Sequence, residues 1–220
     1  MYTIGMSKTF WAIIAVIVVV FGGILLFNGR GKDTPGTSDT SVQPTNHVKG
    51  KGTTGVAVVE YGDYQCPYCG QFEPFVEQAV AKYGDQITFQ FRNLPLIQVH
   101  QNALAGARAA EAASNQDKFW EMHDMLYENQ TTWSESSNPQ SYFDQYAKQL
   151  GLNISQFDKD AASAHTNDVI NADIAAFDKT GNEKSTPAFF IDGKLVNPTS
   201  ISEEALTKLI DQAIAAKKKS

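Results

Sequence analysis

The sequence predicts an α/β domain in which a block of helices separates two parts that contain strands. The first part is a strand–helix–strand unit: a β-branched run at residues 56–59, an amphipathic helix to Gly84, and an alternating strand at residues 87–92. The second part has an apolar strand at residues 188–192, followed by a turn, a short partner strand and a final amphipathic helix. No β-like run interrupts the helical pattern between the two parts.

Within this block, the apolar spacing predicts five helices. The first contains Ala103 to Ala113, and the second contains Phe119 to Tyr127. A third is predicted from Asn138–Pro139 to Leu150, a fourth with Ser155 as its cap, and a fifth from Asp168 to Lys179. After the second group of strands, Ser202 is predicted to cap the last helix, with Glu203 and Glu204 in its first turn.

The composition allows one ordinary domain and argues against a nucleic-acid partner. The chain has 220 residues, of which 42% are hydrophobic, and its formal net charge is −6. Residues 1–52 carry five Lys or Arg and two Asp, whereas residues 53–220 carry 13 basic and 22 acidic side chains. Because phosphate binding requires positive charge, the acidic main part predicts no nucleic-acid binding.

Ahead of the predicted domain, the chain predicts a membrane anchor and a linker. After a short flank at residues 1–9, residues 10–27 are 18 residues without a charge, enough for roughly 27 Å of helix. We favour an uncleaved single span over a cleaved signal peptide, because no small-residue cleavage site follows. Residues 28–54 are polar and predict a flexible linker, in which His47 is a solvated residue.

The two cysteines of the chain lie at the start of the first predicted helix of the domain, in the sequence Cys66–Pro67–Tyr68–Cys69. Thiols at this spacing lie on one face of the first helical turn and can join. Pro67 suits the early helical position. Cys66 would face the positive end of the helix dipole, which favours the thiolate, the attacking species in disulfide exchange. The pattern therefore favours a redox dithiol.

A zinc site or a structural disulfide would account less well for the two cysteines. A zinc site needs four ligands, but the chain has no second pair of cysteines and its histidines are scattered, at His47, His100, His123 and His165. We therefore expect no metal site. A purely structural disulfide would close only a tiny loop and would constrain the unfolded chain little.

The local sequence alone does not decide the conformation of the Thr186–Pro187 peptide bond or the burial of Glu60. Thr186–Pro187 precedes an apolar strand, where a trans proline is the ordinary case and a cis bond is rare, on the order of 5%. Glu60 lies among valines in the first strand of the domain. Its carboxylate is either exposed at a strand edge or buried near the dithiol with a raised pKa.

The chain from about residue 55 to residue 217 resembles the DsbA-like branch of the thioredoxin superfamily. The resemblance rests on four stretches that span most of this part: VVEYGDYQCPYC (58–69), FRNLPLIQVHQNALAGARAAEAA (91–113), DKFWEMHDMLYENQ (117–130) and STPAFFIDGKLV (185–196). It implies a thioredoxin-like α/β fold at residues 55–217 with an inserted all-helical domain at about residues 98–178. The order of elements inferred from the sequence agrees with this fold.

The resemblance also implies roles for individual residues. Cys66 matches the nucleophile and Cys69 the resolving cysteine of a redox-active disulfide, with Pro67 and Tyr68 in the active-site loop. Glu60 matches a buried acid that relays protons to the second cysteine. Thr186 and Pro187 match the substrate-binding residues, with Pro187 in the cis form. For His100, a packing or helix-start role is favoured over catalysis, and for Trp120, packing in the core.

The resulting expectation is a thiol–disulfide oxidoreductase that needs no cofactor and introduces disulfides into exported, cysteine-containing proteins. We expect a monomer anchored in the cell membrane by a single span, with its catalytic domain outside the cytoplasm, where disulfides persist. By analogy with the family, a membrane protein of the DsbB or VKOR type would reoxidise it. The alternatives are a reductase or isomerase on the same fold, because Pro67–Tyr68 departs from the Pro–His pair of well-known DsbA oxidants, and a non-catalytic module that binds thiols or metal.

Overall fold

The computed structural model describes residues 42–219. The predicted flank 1–9, the predicted transmembrane segment 10–27 and the first part of the predicted linker lie outside these residues. The strands are β1 (His47–Lys49), β2 (Val56–Gly62), β3 (Ile87–Asn93), β4 (Ala188–Ile191) and β5 (Lys194–Val196). The helices are α1 (Pro67–Tyr83), α2 (Ala103–Ser114), α3 (Phe119–Glu128), α4 (Gln130–Trp133), α5 (Gln140–Gln149), α6 (Ile154–Ala161), α7 (Ala164–Asp178) and α8 (Glu203–Lys217).

The five strands form one mixed sheet in the order β1-β3-β2-β4-β5. The central pair, β2 and β3, is parallel and is joined through α1, whereas β1, β4 and β5 pair antiparallel with their neighbours. Helices α2 to α7 lie between β3 and β4 in the chain. Strand β2 is thus covered on both edges, and its end leads directly to the two cysteines.

The pattern of burial explains why these residues form strands. In β3 the residues alternate between buried and half-buried positions, which is the period of a strand with one face in the core. The last three residues of β2 are all buried, and β4 is buried throughout, as expected for central strands with both faces covered. The sheet therefore brings the end of β2 and the start of β4 into the interior.

The main core joins the sheet, α1 and the helical block. Phe89 and Phe91 of β3 pack in the same buried cluster as Val76 of α1 and Met122 of α3. The indole of Trp133 is fully buried and donates a hydrogen bond to the backbone carbonyl of Leu126 at 2.8 Å. Because truncating such a side chain to alanine typically costs about 3–5 kcal/mol, α4 is anchored strongly although it has only one turn.

The prediction of a flexible linker is wrong for its last part. Residues 47–49 form β1, which pairs with Phe89 to Phe91. His47 is not a solvated residue, because its ring stacks on Phe119 with 3.4 Å between the centroids and its Nε2 lies 3.0 Å from the Glu111 carboxylate. Polar composition suggested a linker, but hydrogen bonds and one ring contact hold this segment to distant parts of the chain.

Several helix ends differ from the sequence prediction. Asn153, not Ser155, caps α6, since its side chain accepts a hydrogen bond from the backbone N–H of Gln156. Helix α7 begins at Ala164, before the predicted Asp168, because Ser163 caps it. The short helix α4 was not predicted, whereas the capping of α8 by Ser202 is confirmed.

Among the described helices, none has the length and apolar character needed to cross a bilayer. The predicted membrane segment at residues 10–27 lies outside the described part of the chain.

Candidate active site

The two cysteines lie where β2 passes into α1. Strand β2 ends at Gly62, and Cys66 is the N-cap residue of α1, with Pro67 in the first turn. The loop between them is held by the buried carboxylate of Asp63. It accepts hydrogen bonds from the backbone N–H groups of Gln65 (2.8 Å) and Leu96 (2.9 Å), and it contacts His100 Nδ1 at 2.7 Å.

A glutamine from the helical block fixes the same loop from the other side. Gln130 Nε2 donates to the backbone carbonyls of Tyr64 at 2.8 Å and Cys66 at 2.9 Å. This approach depends on Gly70, because a Cβ at that position would lie 2.7 Å from Gln130 Oε1. The backbone around Cys66 is thus ordered by contacts from both the sheet side and the helical block.

Cys66 is in an environment that favours its thiolate. Its pKa is lowered to about 5, chiefly by a hydrogen bond from the Cys69 thiol, with further contributions from Thr186 and from the backbone N–H groups of Cys69 and Tyr68. Burial opposes these effects but does not outweigh them. The unpaired N–H groups and the dipole of α1 act in the same direction. A thiolate at neutral pH is what an attacking or leaving sulfur in disulfide exchange requires.

Cys69 has the opposite character. Its side chain is buried one turn inside α1, and its pKa is raised well above the usual value, first by burial and then by its hydrogen bond to Cys66. The charges of the Cys66 thiolate and of Glu60 raise it further. Cys69 therefore holds its proton while Cys66 is ionised, so the two thiols of one pair are chemically distinct.

Glu60 lies in the middle of β2, between Phe91 of β3 and Phe189 of β4. The residue is 1% exposed, and within residues 42–219 its Oε2 has no hydrogen-bond partner. Burial raises its pKa well above the usual value, and the charges of Glu73 and Cys66 raise it further. Of the two alternatives left open by the sequence, the buried position with a raised pKa is therefore the correct one.

The remaining predicted residues lie around the same sulfur. Cys66 Sγ is 3.4 Å from the backbone carbonyl oxygen of Thr186, and the Thr186–Pro187 peptide bond is cis. Tyr68 is 61% exposed and presents its ring next to the dithiol. The structure thus brings the seven predicted site residues together, from β2, the start of α1 and the loop before β4.

Sequence reasoning missed several residues that contact this site. Asp63 and Gln130 order the loop before Cys66, and Glu73 lies close enough to Glu60 to raise its pKa. Among the described residues, one group has the geometry of a metal site: Glu73, His123 and Asp124. The position of Glu73 four residues after Cys69, on the same face of α1, was a signal available in the sequence.

Comparisons with known proteins agree with this geometry. The family profile described as thioredoxin matches residues 42–212. A solved structure of a thioredoxin-like oxidoreductase from Silicibacter pomeroyi is 28% identical, with a TM-score of 0.63, and covers 76% of this chain and 90% of its own. The oxidoreductase DsbA from Xylella fastidiosa shares the fold, with 16% identity, a TM-score of 0.64 and coverage of 78% and 92% of the two chains.

A longer relative also matches. The Na(+)/H(+) antiporter NhaA 1 of Salinispora arenicola is 37% identical over 175 residues, which are 77% of this chain but 25% of the antiporter. This chain thus spans about a quarter of the length of that relative, so the name of the whole antiporter does not transfer to it.

The fold and the dithiol together define an oxidoreductase of the thioredoxin superfamily. The chain belongs to the thioredoxin family.

Proposed function

We propose that this protein is a membrane-anchored thiol–disulfide oxidoreductase that introduces disulfides into exported proteins. The observation that carries the proposal is the difference between the two thiols, with the pKa of Cys66 at about 5 and that of Cys69 raised well above its usual value. A stabilised thiolate makes the reduced pair more stable, and a pair whose reduced form is stable is an oxidant. This asymmetry favours donation of disulfides over the reductase or isomerase alternative.

The proposed reaction exchanges one disulfide for another. A substrate thiolate attacks Cys66 Sγ of the Cys66–Cys69 disulfide, forms a mixed disulfide, and releases Cys69 as a thiolate that takes up a proton. A second substrate thiolate then attacks the substrate sulfur of the mixed disulfide and releases Cys66 as a thiolate. The substrate loses two electrons, and the Cys66–Cys69 pair gains them. The low pKa of Cys66 makes it a good leaving group in the second step.

Glu60 has the role of proton relay in this cycle. Its raised pKa lets the buried carboxylic acid keep a proton to higher pH than an ordinary glutamate and donate it to Cys69 as the disulfide opens. Reoxidation reverses the transfer, because Cys69 must lose its proton before its sulfur can attack. The reoxidant would be a membrane protein of the DsbB or VKOR type, whose own disulfide accepts the two electrons.

Thr186, Pro187 and the exposed Tyr68 would contact the substrate. The Thr186 carbonyl lies 3.4 Å from Cys66 Sγ, so a substrate chain that pairs with this backbone would bring its own sulfur next to Cys66. The exposed ring of Tyr68 offers an apolar surface beside the sulfur. Substrates would be unfolded, cysteine-containing exported proteins, and the protein would act as a monomer.

The reduction potential of the Cys66–Cys69 disulfide tests the direction of the reaction. The oxidised full chain, purified in detergent, is titrated with mixtures of reduced and oxidised glutathione. We expect a potential less negative than about −180 mV, in the range of disulfide donors. A value near the roughly −270 mV of thioredoxin would contradict the oxidase proposal and would favour the reductase alternative.

The proposed location rests on the uncharged stretch at residues 10–27, which is long enough for one span. The full chain is expressed in bacterial cells, with a variant that lacks residues 10–27 as the control. We expect the full chain to stay in carbonate-washed membranes and to be digested by protease added to spheroplasts, whereas the control stays inside. Protection of the full chain from the protease would contradict a catalytic domain outside the cytoplasm.

A further inference from the structure

A second cluster of polar side chains involves α1 about two turns after Cys66. This Glu73–His123–Asp124 cluster consists of Glu73 of α1 with His123 and Asp124 of α3. His123 Nε2 is 3.2 Å from Glu73 Oε1, and one ligand atom from each of the three residues lies within 4.8 Å of the others. Residues scattered in the sequence are thus brought together between two helices.

Two carboxylate oxygens of the cluster lack a hydrogen-bond donor among the described residues. Glu73 is more than nine-tenths buried, yet within residues 42–219 neither Glu73 Oε2 nor Asp124 Oδ1 has a hydrogen-bond partner. The nearest cation, Lys49 Nζ, is 4.0 Å from Asp124 Oδ1 and lies over the ring of Trp120. Buried oxygens without a donor cost free energy, which a bound cation would recover.

The charges around the cluster also favour a bound cation. Glu73 and Asp124 belong to the cluster, and Glu77 lines the same cavity as Glu73. Lys49 lies near these three carboxylates.

The orientation of His123 is suited to metal binding. Its Nδ1 lies 3.0 Å from the hydroxyl oxygen of Tyr64, which can accept the Nδ1 proton and leave Nε2 free as a ligand. Histidine ligands usually donate their other ring N–H in this way, since the contact fixes the tautomer and the ring orientation. The ring is also held by aromatic contacts with Phe91 and Trp120.

A cavity adjoins the cluster at Glu73. It has a volume of about 240 Å³, and Glu77, Lys49 and Trp120 also line it. We propose that Glu73, His123 and Asp124 bind a divalent transition-metal ion, Zn²⁺, which ties the helix that carries the dithiol to α3 of the helical block.

The types of ligand atom in the cluster indicate which metal ion it would bind. One imidazole nitrogen with carboxylate oxygens suits zinc, whereas calcium and magnesium take oxygen ligands and calcium needs six to eight. Zinc holds such ligands at about 2.0–2.2 Å, so two ligands of one ion lie up to about 4 Å apart. The Glu73–His123 pair already meets this limit, and the ligand atom of Asp124 lies within 4.8 Å of the other two.

Calorimetric titration with zinc chloride alone tests the proposal. The full chain in detergent is stripped with EDTA, freed of chelator and of any histidine tag, and kept oxidised so that the two cysteines cannot ligate the ion. We expect one ion per chain. His123→Gln and Asp124→Asn should each weaken binding at least about tenfold. Glu121→Gln is the matched control, because this acid of α3 pairs with Lys118 at 2.6 Å.

A melting experiment supplies the second readout. Zinc should raise the melting temperature of the wild type and of Glu121→Gln, and at the same zinc concentration it should raise that of Asp124→Asn clearly less. Because Asp124 is partly exposed, this variant tests the site even if the buried His123→Gln fails to fold. The absence of saturable binding, or wild-type affinity in Asp124→Asn, would overturn the proposal.

Discussion

Two buried carboxyl groups in this molecule differ in the hydrogen bonds that they accept. Glu60 lies in β2 beside the dithiol, and its Oε2 has no hydrogen-bond partner among residues 42–219. Asp173 of α7 is fully buried, but both of its oxygens accept hydrogen bonds. Its donors are the backbone N–H and hydroxyl of Thr45, at 2.8 and 2.7 Å, and the backbone N–H of Asn93, at 2.9 Å.

This difference in hydrogen bonding fits a reactive role for Glu60 and a structural role for Asp173. Burial raises the pKa of both carboxyls, but in Asp173 the donors from Asn93 and Thr45 act against this, whereas near Glu60 the charges of Glu73 and Cys66 add to it. Donors around a buried carboxyl group stabilise its charged form and tie chain segments together, as around Asp173. A buried acid with few such donors keeps its proton to higher pH, which suits a proton relay.

The largest expected effect is on stability, from loss of the structural carboxylate. Asp173→Ala removes the shared acceptor of Thr45 and Asn93 and leaves buried N–H groups unpaired. We expect the free energy of unfolding to fall by about 2–4 kcal/mol, measured by urea denaturation. The pH profile of disulfide exchange by the folded variant should match that of the wild type.

Asp178→Ala is the control on the same helix. This carboxylate is half exposed and pairs with Lys184 at 2.9 Å, so its loss should cost less than about 1 kcal/mol. Equal losses in the two variants would mean that the hydrogen bonds of Asp173 do not anchor the segment that contains Thr45.

The dithiol region and the segment that Asp173 anchors also show how much of the structure the sequence could predict. The strand, dithiol and helix at residues 56–84 follow local patterns, namely a β-branched run, an early proline and apolar residues at helical spacing. The anchoring of Thr45 and His47 has no local pattern, since their partners Asp173 and Glu111 lie 128 and 64 residues away. Polar residues that are buried by long-range hydrogen bonds cannot be distinguished by composition from those of a flexible linker.

Residues of the helical block that contact α1 and the loop before it were missed for a related reason. Gln130 of α4 contacts Cys66 and His123 of α3 contacts Glu73, and these contacts exist only after the helical block packs against α1. Single polar residues in amphipathic helices usually face solvent, so no local pattern distinguishes these two from their neighbours. Glu60 was selected, but only the resemblance to a family favoured its burial.

Glu60→Gln should have a smaller effect, and mainly on rate. Glutamine keeps the shape of the side chain but cannot carry the proton, so steps in which Cys69 gains or loses a proton should slow about 10- to 100-fold. Stopped-flow oxidation of a reduced two-cysteine peptide measures this rate. Glu77→Gln, a less buried acid of α1, is the control. Unchanged rates in Glu60→Gln would exclude a role as proton relay.

The stability of this variant should also depend differently on pH. Because the pKa of Glu60 is raised in the folded state, that state binds more protons than the unfolded chain, and stability falls as the pH rises from the unfolded pKa to the folded one. Glu60→Gln removes this fall, so the variant should gain stability relative to the wild type as the pH increases above about 4.5. Asp173→Ala should be less stable than the wild type because it leaves buried N–H groups unpaired, although the raised pKa of Asp173 gives its contribution a pH dependence of the same sign as that of Glu60.

The smallest expected effect concerns Thr186, one of the residues that lower the pKa of Cys66. Alkylation of the reduced protein with iodoacetamide across pH should show a midpoint at about 5, and peptide mapping should place the label on Cys66. Thr186→Val removes the hydroxyl that contributes to the lowered pKa of Cys66 and should raise the midpoint by less than about one unit, since the Cys69 thiol and the backbone N–H groups remain. Thr180→Val, in the loop after α7, is the control.

A label found first on Cys69 would reverse the roles of the two thiols. An unchanged midpoint in Thr186→Val would show that the donors of α1 alone stabilise the thiolate.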